Sequence, residues 1–210
     1  MNKNDVLKSL LDLKVVAVIR MTDASRLSRV IESIERGGIK AIEITMTVPD
    51  AVGIIRFVAA YKNPGVLIGA GTVLDAATAA AVIDAGADFV VSPVSDFPTI
   101  RACGRRGVLV APGAFTPTEI LNAWNEGADI VKVFPATSLG PKYFKDLKGP
   151  LPHIRLMPTG GVSLENARDF LASGACCVGI GAALLDPKLI AEDRWDDLCA
   201  RAAALAASVR

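Results

Sequence analysis

Eight short apolar runs recur along the 210-residue chain at a steady interval, and this beat limits the folds open to it. They are VVAVIR (15–20), AIEIT (41–45), VLIGA (66–70), DFVVS (88–92), GVLVA (107–111), DIVKVF (129–134), IRLMP (154–158) and CCVGI (176–180). Most are rich in Val, Ile and Leu, as strands buried on both faces are. Their starts lie about 19–26 residues apart, the length of one strand–helix unit. Helical stretches such as SRLSRVIESIERGG and DAATAAAVIDAGAD fill the gaps. Gly37-Gly38, Gly86, Gly107, Gly127 and Gly174 stand where a helix C-terminal cap belongs. Thr116-Pro117-Thr118-Glu119 reads as an N-cap, a proline at the first helical position and a returning carboxylate. A short amphipathic helix is expected near residues 4–12, and an Ala-rich one from about Ile190 to Val209.

Eight such units predict an α/β fold, a (βα)8 TIM barrel with a short N-terminal helix, forming one domain over residues 1–210. The rival is an open doubly wound sheet. Against it, IGAGT lacks the third glycine of a dinucleotide fingerprint, and no suitably spaced acidic residue follows. Charges in mid-strand also favour the barrel, whose lumen opens at its upper face, whereas helices cover both faces of an open sheet. The 51% apolar content is enough to fill one core. A formal net charge of +1 argues against a nucleic-acid partner. The segment MNKNDVLKSLLDLK is too polar for a signal peptide, and no apolar run approaches membrane-spanning length. A cytoplasmic location without membrane contact is therefore expected. Cys103, Cys176, Cys177 and Cys199 form no CxxC pair and read as reduced, buried thiols.

Two charges interrupt the apolar pattern. Along DIVKVFP, Lys132 shares a face with Ile130 and Phe134, and Glu43 interrupts AIEIT in the same way. A buried lysine needs a partner, a wet cavity or the loss of its charge. One reading is an ion pair holding two strands in register. The other is an amine nucleophile for a carbonyl, activated by an apolar cavity or a nearby cation such as Arg20, with Glu43 carrying protons. In a barrel the active site lies at the C-terminal strand ends. Those ends carry Arg20, Glu43 with Thr45 and Thr47, Thr72, Ser92-Pro93, Lys132, Thr159-Gly160-Gly161 and Gly179–Gly181. Arg20 has the fork to hold a carboxylate, or is a surface arginine. The glycines of PTGGVS and GIGAALL fall where barrels hold phosphate, though such glycines also serve plain turns. Ser163 is as readily a helix cap as a ligand group. The single histidine, His153, has no clustered partner and reads as a surface residue, so metal chemistry has little support.

VVAVIR, AIEITMTVPDA, IGAGTVL, FVVSP, PGAFTPTE, VKVFPA and PTGGV, taken together and in order, resemble one family. It is that of the class I aldolases acting on 2-keto-3-deoxy-6-phosphogluconate (KDPG) and 4-hydroxy-2-oxoglutarate (KHG). The resemblance runs from about Val15 to Leu185. It implies a homotrimeric barrel enzyme that cleaves a small-molecule 2-keto-4-hydroxy acid to pyruvate and an aldehyde, with no cofactor and no metal. Lys132 would be the Schiff-base lysine and Glu43 the general acid/base. Thr72 and Arg20 would hold the pyruvate carboxylate, while Pro93, Phe134 and Thr159 would line the site. Gly160 and Gly161, with the turn after Gly181, would form the phosphate pocket. Two positions depart from the pattern. Thr47 stands where part of the family has an arginine, which shifts weight to Arg20. Ala182 stands where a serine often binds phosphate, so one hydrogen bond worth about 1 kcal/mol is lost. Three alternatives stay open: an unphosphorylated substrate, the phosphogalactonate isomer (though Thr159 fits the gluconate type better), and a non-catalytic anion-binding barrel.

Overall fold

Nine strands and ten α-helices alternate along residues 1–209, the part of the chain that the computed structural model describes. The strands are β1 (Val15–Ile19), β2 (Ala41–Thr45), β3 (Leu67–Gly71), β4 (Phe89–Val91), β5 (Leu109–Ala111), β6 (Gly113–Ala114), β7 (Val131–Val133), β8 (Leu156–Pro158) and β9 (Val178–Ile180). All pairings are parallel, in two ladders: β5-β4-β3-β2-β1-β9 and β6-β7-β8. The fifth expected run holds β5, and a short further strand, β6, follows it across Pro112, which has no N–H to give to a ladder. Before it β5 pairs with β4; after it Gly113 and Ala114 pair with β7. A bridge between Thr159 and Gly179 joins the other two edges. The sheet thus curls on itself as the (βα)8 pattern requires.

Alternation along the strands sorts side chains into two cores. Ile42, Ile44, Ile68, Val131, Val133 and Ile180 face outward into the helical layer. Val16, Leu67, Phe89, Leu109, Ile130 and Cys177 face inward and fill the lower lumen. Helix α1 (Lys3–Leu13) closes that end, with Val6 and Leu10 packed against the lumen residues. Burying each such side chain contributes about 1.5–3 kcal/mol. An Asn2/Asp5 capping box starts the helix. Gly69 leaves room for this packing: a Cβ there would lie 2.2 Å from the Phe89 ring.

The caps follow the expected chemistry. Gly38, Gly86, Gly107, Gly127 and Gly174 all have φ between 64° and 107°. Gly37 does not; it is small because a Cβ would lie 2.5 Å from Ala202. Thr116 and Glu119 form the capping box of α6 (Pro117–Asn125). The tail differs from expectation. It is two helices, α9 (Pro187–Ala191) and α10 (Trp195–Ser208), parted where Asp193 adopts φ 54°. Aspartate tolerates that left-handed turn, and Ile190 belongs to the first helix. The last apolar run also starts late, because the chain bends at Cys176 and Cys177 before β9. Only Cys103 and Cys177 are buried; Cys176 and Cys199 are half-buried. Among the described residues, no helix is long and apolar enough to cross a membrane.

Candidate active site

Above the apolar floor, the inward positions change character. Glu43 lies between Val18 of β1 and Gly69 of β3, and Lys132 between Gly113 of β6 and Met157 of β8. Their neighbours Ile42, Ile44, Val131 and Val133 point outward, so both charges are turned into the lumen. Glu43 is 0% exposed and Lys132 4%. Neither carboxylate oxygen of Glu43 has a hydrogen-bond partner. Burial pushes its carboxyl above the ordinary range, and the charges of Lys132 and Arg20 pull the other way. The register-holding ion pair would satisfy those oxygens; the structure leaves them free. Gly71, opposite Thr45, makes the space, since a Cβ there would lie 1.9 Å from Glu43 Oε1.

The Lys132 ammonium stands 5.1 Å from the centroid of the Phe134 ring, two residues on along the same face. Thr159, just past β8, is 7% exposed and its Oγ1 is also unpartnered. Gly179 opposite keeps that hydroxyl free, because a Cβ would sit 2.4 Å from it. Phe134, Thr159 and Gly179 border a cavity of about 510 Å³ at the upper face. It gathers seven of the expected site residues: Arg20, Phe134, Thr159, Gly160, Gly161, Gly181 and Ala182. Gly160 and Gly161 have φ of 84° and 72°, and a Cβ on Gly161 would lie 2.6 Å from Thr137 Cα. Only glycine lets the two loops approach so closely. Ser163 lines the cavity too, but its N–H donates to Asn166 Oδ1 (2.8 Å) and its Oγ accepts from Glu165 N–H (3.3 Å), as a capping residue does.

Five expected residues lie outside the cavity lining: Lys132 and Glu43, buried in the lumen beside it, and Thr47, Thr72 and Pro93. Thr47 is exposed, and its hydroxyl is 2.6 Å from that of Thr45. Thr72 follows β3 at φ 59°, a left-handed conformation that a β-branched residue adopts only under constraint. Pro93 lines a separate cavity of about 420 Å³ that shares Phe134 as a wall. Val18, Leu185 and Pro187 line the main cavity without having been singled out, because an apolar wall residue leaves no chemical mark in a sequence. His153 is exposed, edge-on to Trp124 at 6.0 Å.

A profile of the KDPG and KHG aldolase family matches residues 6–201. The chain is 34% identical over 194 residues to a 2-dehydro-3-deoxy-phosphogluconate aldolase of Haemophilus influenzae, covering 92% of this chain and 91% of that protein. It is 35% identical over 180 residues to a probable 2-dehydro-3-deoxy-6-phosphogalactonate aldolase of Rhizobium meliloti, covering 85% of each. Among solved structures, the KDPG aldolase of Legionella pneumophila, with pyruvate captured as a covalent carbinolamine, superposes with a TM-score of 0.87. That pair is 26% identical and covers 95% of this chain and 97% of the other.

Burial raises the Glu43 carboxyl in the folded chain above its value in the unfolded one. A folded-state value above the unfolded one favours the native state at low pH, and that contribution is lost as pH rises and the buried group ionises. Glu43→Gln, which keeps the shape without the charge, should therefore match the parent's Tm in acid and exceed it increasingly towards pH 8. Thermal melts across pH check this; a constant difference at every pH contradicts it.

Proposed function

The chain belongs to the KDPG and KHG aldolase family, and on that premise we propose that it cleaves KDPG reversibly to pyruvate and glyceraldehyde 3-phosphate. KHG, cleaved to pyruvate and glyoxylate, is a second substrate of the same site. The observation that carries this reading is the pair of ionisable groups buried in the lumen, Lys132 and an unpartnered Glu43, whose neighbours Phe134 and Val18 line the glycine-walled cavity.

In the proposed reaction, the free amine of Lys132 adds to the C2 carbonyl and gives a carbinolamine. Glu43, whose burial favours the protonated form, protonates the departing hydroxyl, which leaves as water and yields the iminium ion. The carboxylate so formed takes the proton of the C4 hydroxyl. The C3–C4 bond then breaks, its electron pair passes into the iminium as an enamine, and the aldehyde departs. Protonation at C3 and hydrolysis release pyruvate and restore the amine. The unpartnered carboxylate suits this work, since no protein donor competes for the oxygens that move the protons. Arg20 forks the substrate carboxylate, Phe134 forms a wall and Thr159 meets a substrate hydroxyl. Thr72 and Pro93 belong to the loops around the carboxylate end. The phosphate lies against the backbone of Gly160, Gly161, Gly181 and Ala182 at the cavity rim.

Two local features favour KHG-type substrates as the second reading. Ala182 offers no hydroxyl, and the Ser163 N–H is already given to Asn166. Ala182→Ser should lower KM for KDPG by about fivefold, the equivalent of one hydrogen bond, and leave KHG cleavage unchanged. Steady-state pyruvate release from both substrates measures this. An equal effect on both places no phosphate at this turn, and no cleavage of either leaves the anion-binding barrel.

The trimer is proposed on the same premise. Val94, Phe97 and Phe115, exposed at 49%, 37% and 38%, share one cavity beside the site, which suits a covered apolar face. Light scattering should give three times the 22.0 kDa chain mass; a monomer contradicts it. A cytoplasmic location accords with four free thiols.

A further inference from the structure

At the lower rim of the barrel, three units repeat one device. Gly86-Ala87-Asp88, Gly127-Ala128-Asp129 and Gly174-Ala175-Cys176 each end a helix and enter a strand. The glycines have φ of 98°, 107° and 100°, and the alanines are all buried. The third residue's N–H donates in every case to the carbonyl of the preceding strand: Asp88 to Ile68 (2.7 Å), Asp129 to Val110 (3.0 Å) and Cys176 to Leu156 (2.9 Å). In the first two units the carboxylate returns the bond, accepting from Ile68 N–H (2.8 Å) and Val110 N–H (2.9 Å). Each also pairs with a lysine, Asp88 with Lys62 and Asp129 with Lys3. The position is built for an anion.

In the third unit that position holds a thiol. Its surroundings keep the cationic character. The Lys148 stem lies over Gly174, where a Cβ would be 2.6 Å from Lys148 Cγ, and its ammonium is fixed by the carbonyls of Pro152 (3.2 Å) and Ile154 (2.6 Å). Arg155 is held by the Asp129 carbonyl at 2.6 Å and by the Trp124 ring at 4.9 Å. The next residue is also cysteine, and the bend before β9 brings the two Sγ atoms to 3.8 Å. Cys176 is half-buried and Cys177 fully buried in the lower lumen. A hydrogen bond between the thiols, with the charges of Lys148 and Arg155, holds Cys176 below its ordinary value despite burial, while the same bond and full burial push Cys177 well above its own.

We infer that Cys176 and Cys177 form a modification site for hydroperoxides, with Cys176 as the attacking thiol and Cys177 as the resolving one. The Cys176 thiolate attacks one oxygen of the O–O bond. An S–O bond forms, the O–O bond breaks, and the leaving oxygen takes a proton to become water or an alcohol. Cys177 sulfur then attacks the sulfenic sulfur, and the displaced hydroxide leaves as water with the Cys177 proton. Two thiols are oxidised to one disulfide, and one hydroperoxide is reduced. This chemistry lies at the opposite end of the barrel from the aldolase site and does not rest on it.

The test uses the native protein and hydrogen peroxide, followed by alkylation of remaining thiols and peptide mapping. Expected is a peptide carrying Cys176-Cys177 unalkylated and lighter by two hydrogens, formed about tenfold faster than any oxidation of the other half-buried thiol, Cys199. Cys177→Ser should stop at a sulfenic acid on Cys176, trapped by dimedone. Cys176→Asp restores the residue type of the other two units; it should fold, keep aldolase activity and leave Cys177 inert to peroxide. Oxidation of Cys199 at an equal or higher rate overturns the inference, as does a Cys177 that oxidises equally fast in the parent and in the Cys176→Asp variant.

Discussion

Burial of an unpartnered carboxylate in the barrel lumen is the constraint on which the rest of the structure turns. A buried carboxyl without a hydrogen bond is costly, and Glu43 is fully buried with both oxygens free. Such a group persists only where the surrounding chain over-determines its place. The β1–β2–β3 ladder fixes its backbone, Ile42 and Ile44 anchor the flanking positions among the helices, and Gly71 leaves room for the carboxylate. Below it, Phe89 and the α1 plug close the lumen. The lumen is therefore divided by height: an apolar floor at the N-terminal strand ends and buried ionisable groups nearer the C-terminal ends.

Glycine does much of this division. Gly69 admits the Phe89 ring to the floor, Gly71 admits the Glu43 carboxylate, and Gly179 frees the Thr159 hydroxyl. Each absent side chain is filled by a residue from a neighbouring strand, so the lumen is packed where it must be stable and open where a ligand must enter. The lower rim uses a different repeated device, a left-handed glycine, a buried alanine and an anchoring third residue. The substitution of cysteine for aspartate in its last copy changes the chemistry there without changing the backbone.

Much of this was legible in the sequence for local reasons. Strand spacing, period-2 alternation and capping residues are properties of short stretches, so the barrel, the inward turn of Lys132 and Glu43 and the Thr116–Glu119 cap could be read directly. The Pro112 break was less visible, because its effect is to hand one strand's pairing from β4 to β7. The split of the tail at Asp193 depends on a left-handed residue that an Ala-rich pattern conceals. The partners of the lumen glycines were not visible at all. Gly71 with Glu43 and Gly179 with Thr159 are non-local pairs, known only once the register is known. The same is true of Val18, Leu185 and Pro187, whose role is shape.

The most direct test of the account is covalent trapping. Pyruvate and borohydride are added to the folded protein, and intact mass and peptide mapping locate the reduced adduct, with Lys132→Ala alongside. One adduct per chain is expected, on Lys132, and none in the variant. A folded protein that binds pyruvate without any adduct, or an adduct on another lysine, contradicts it.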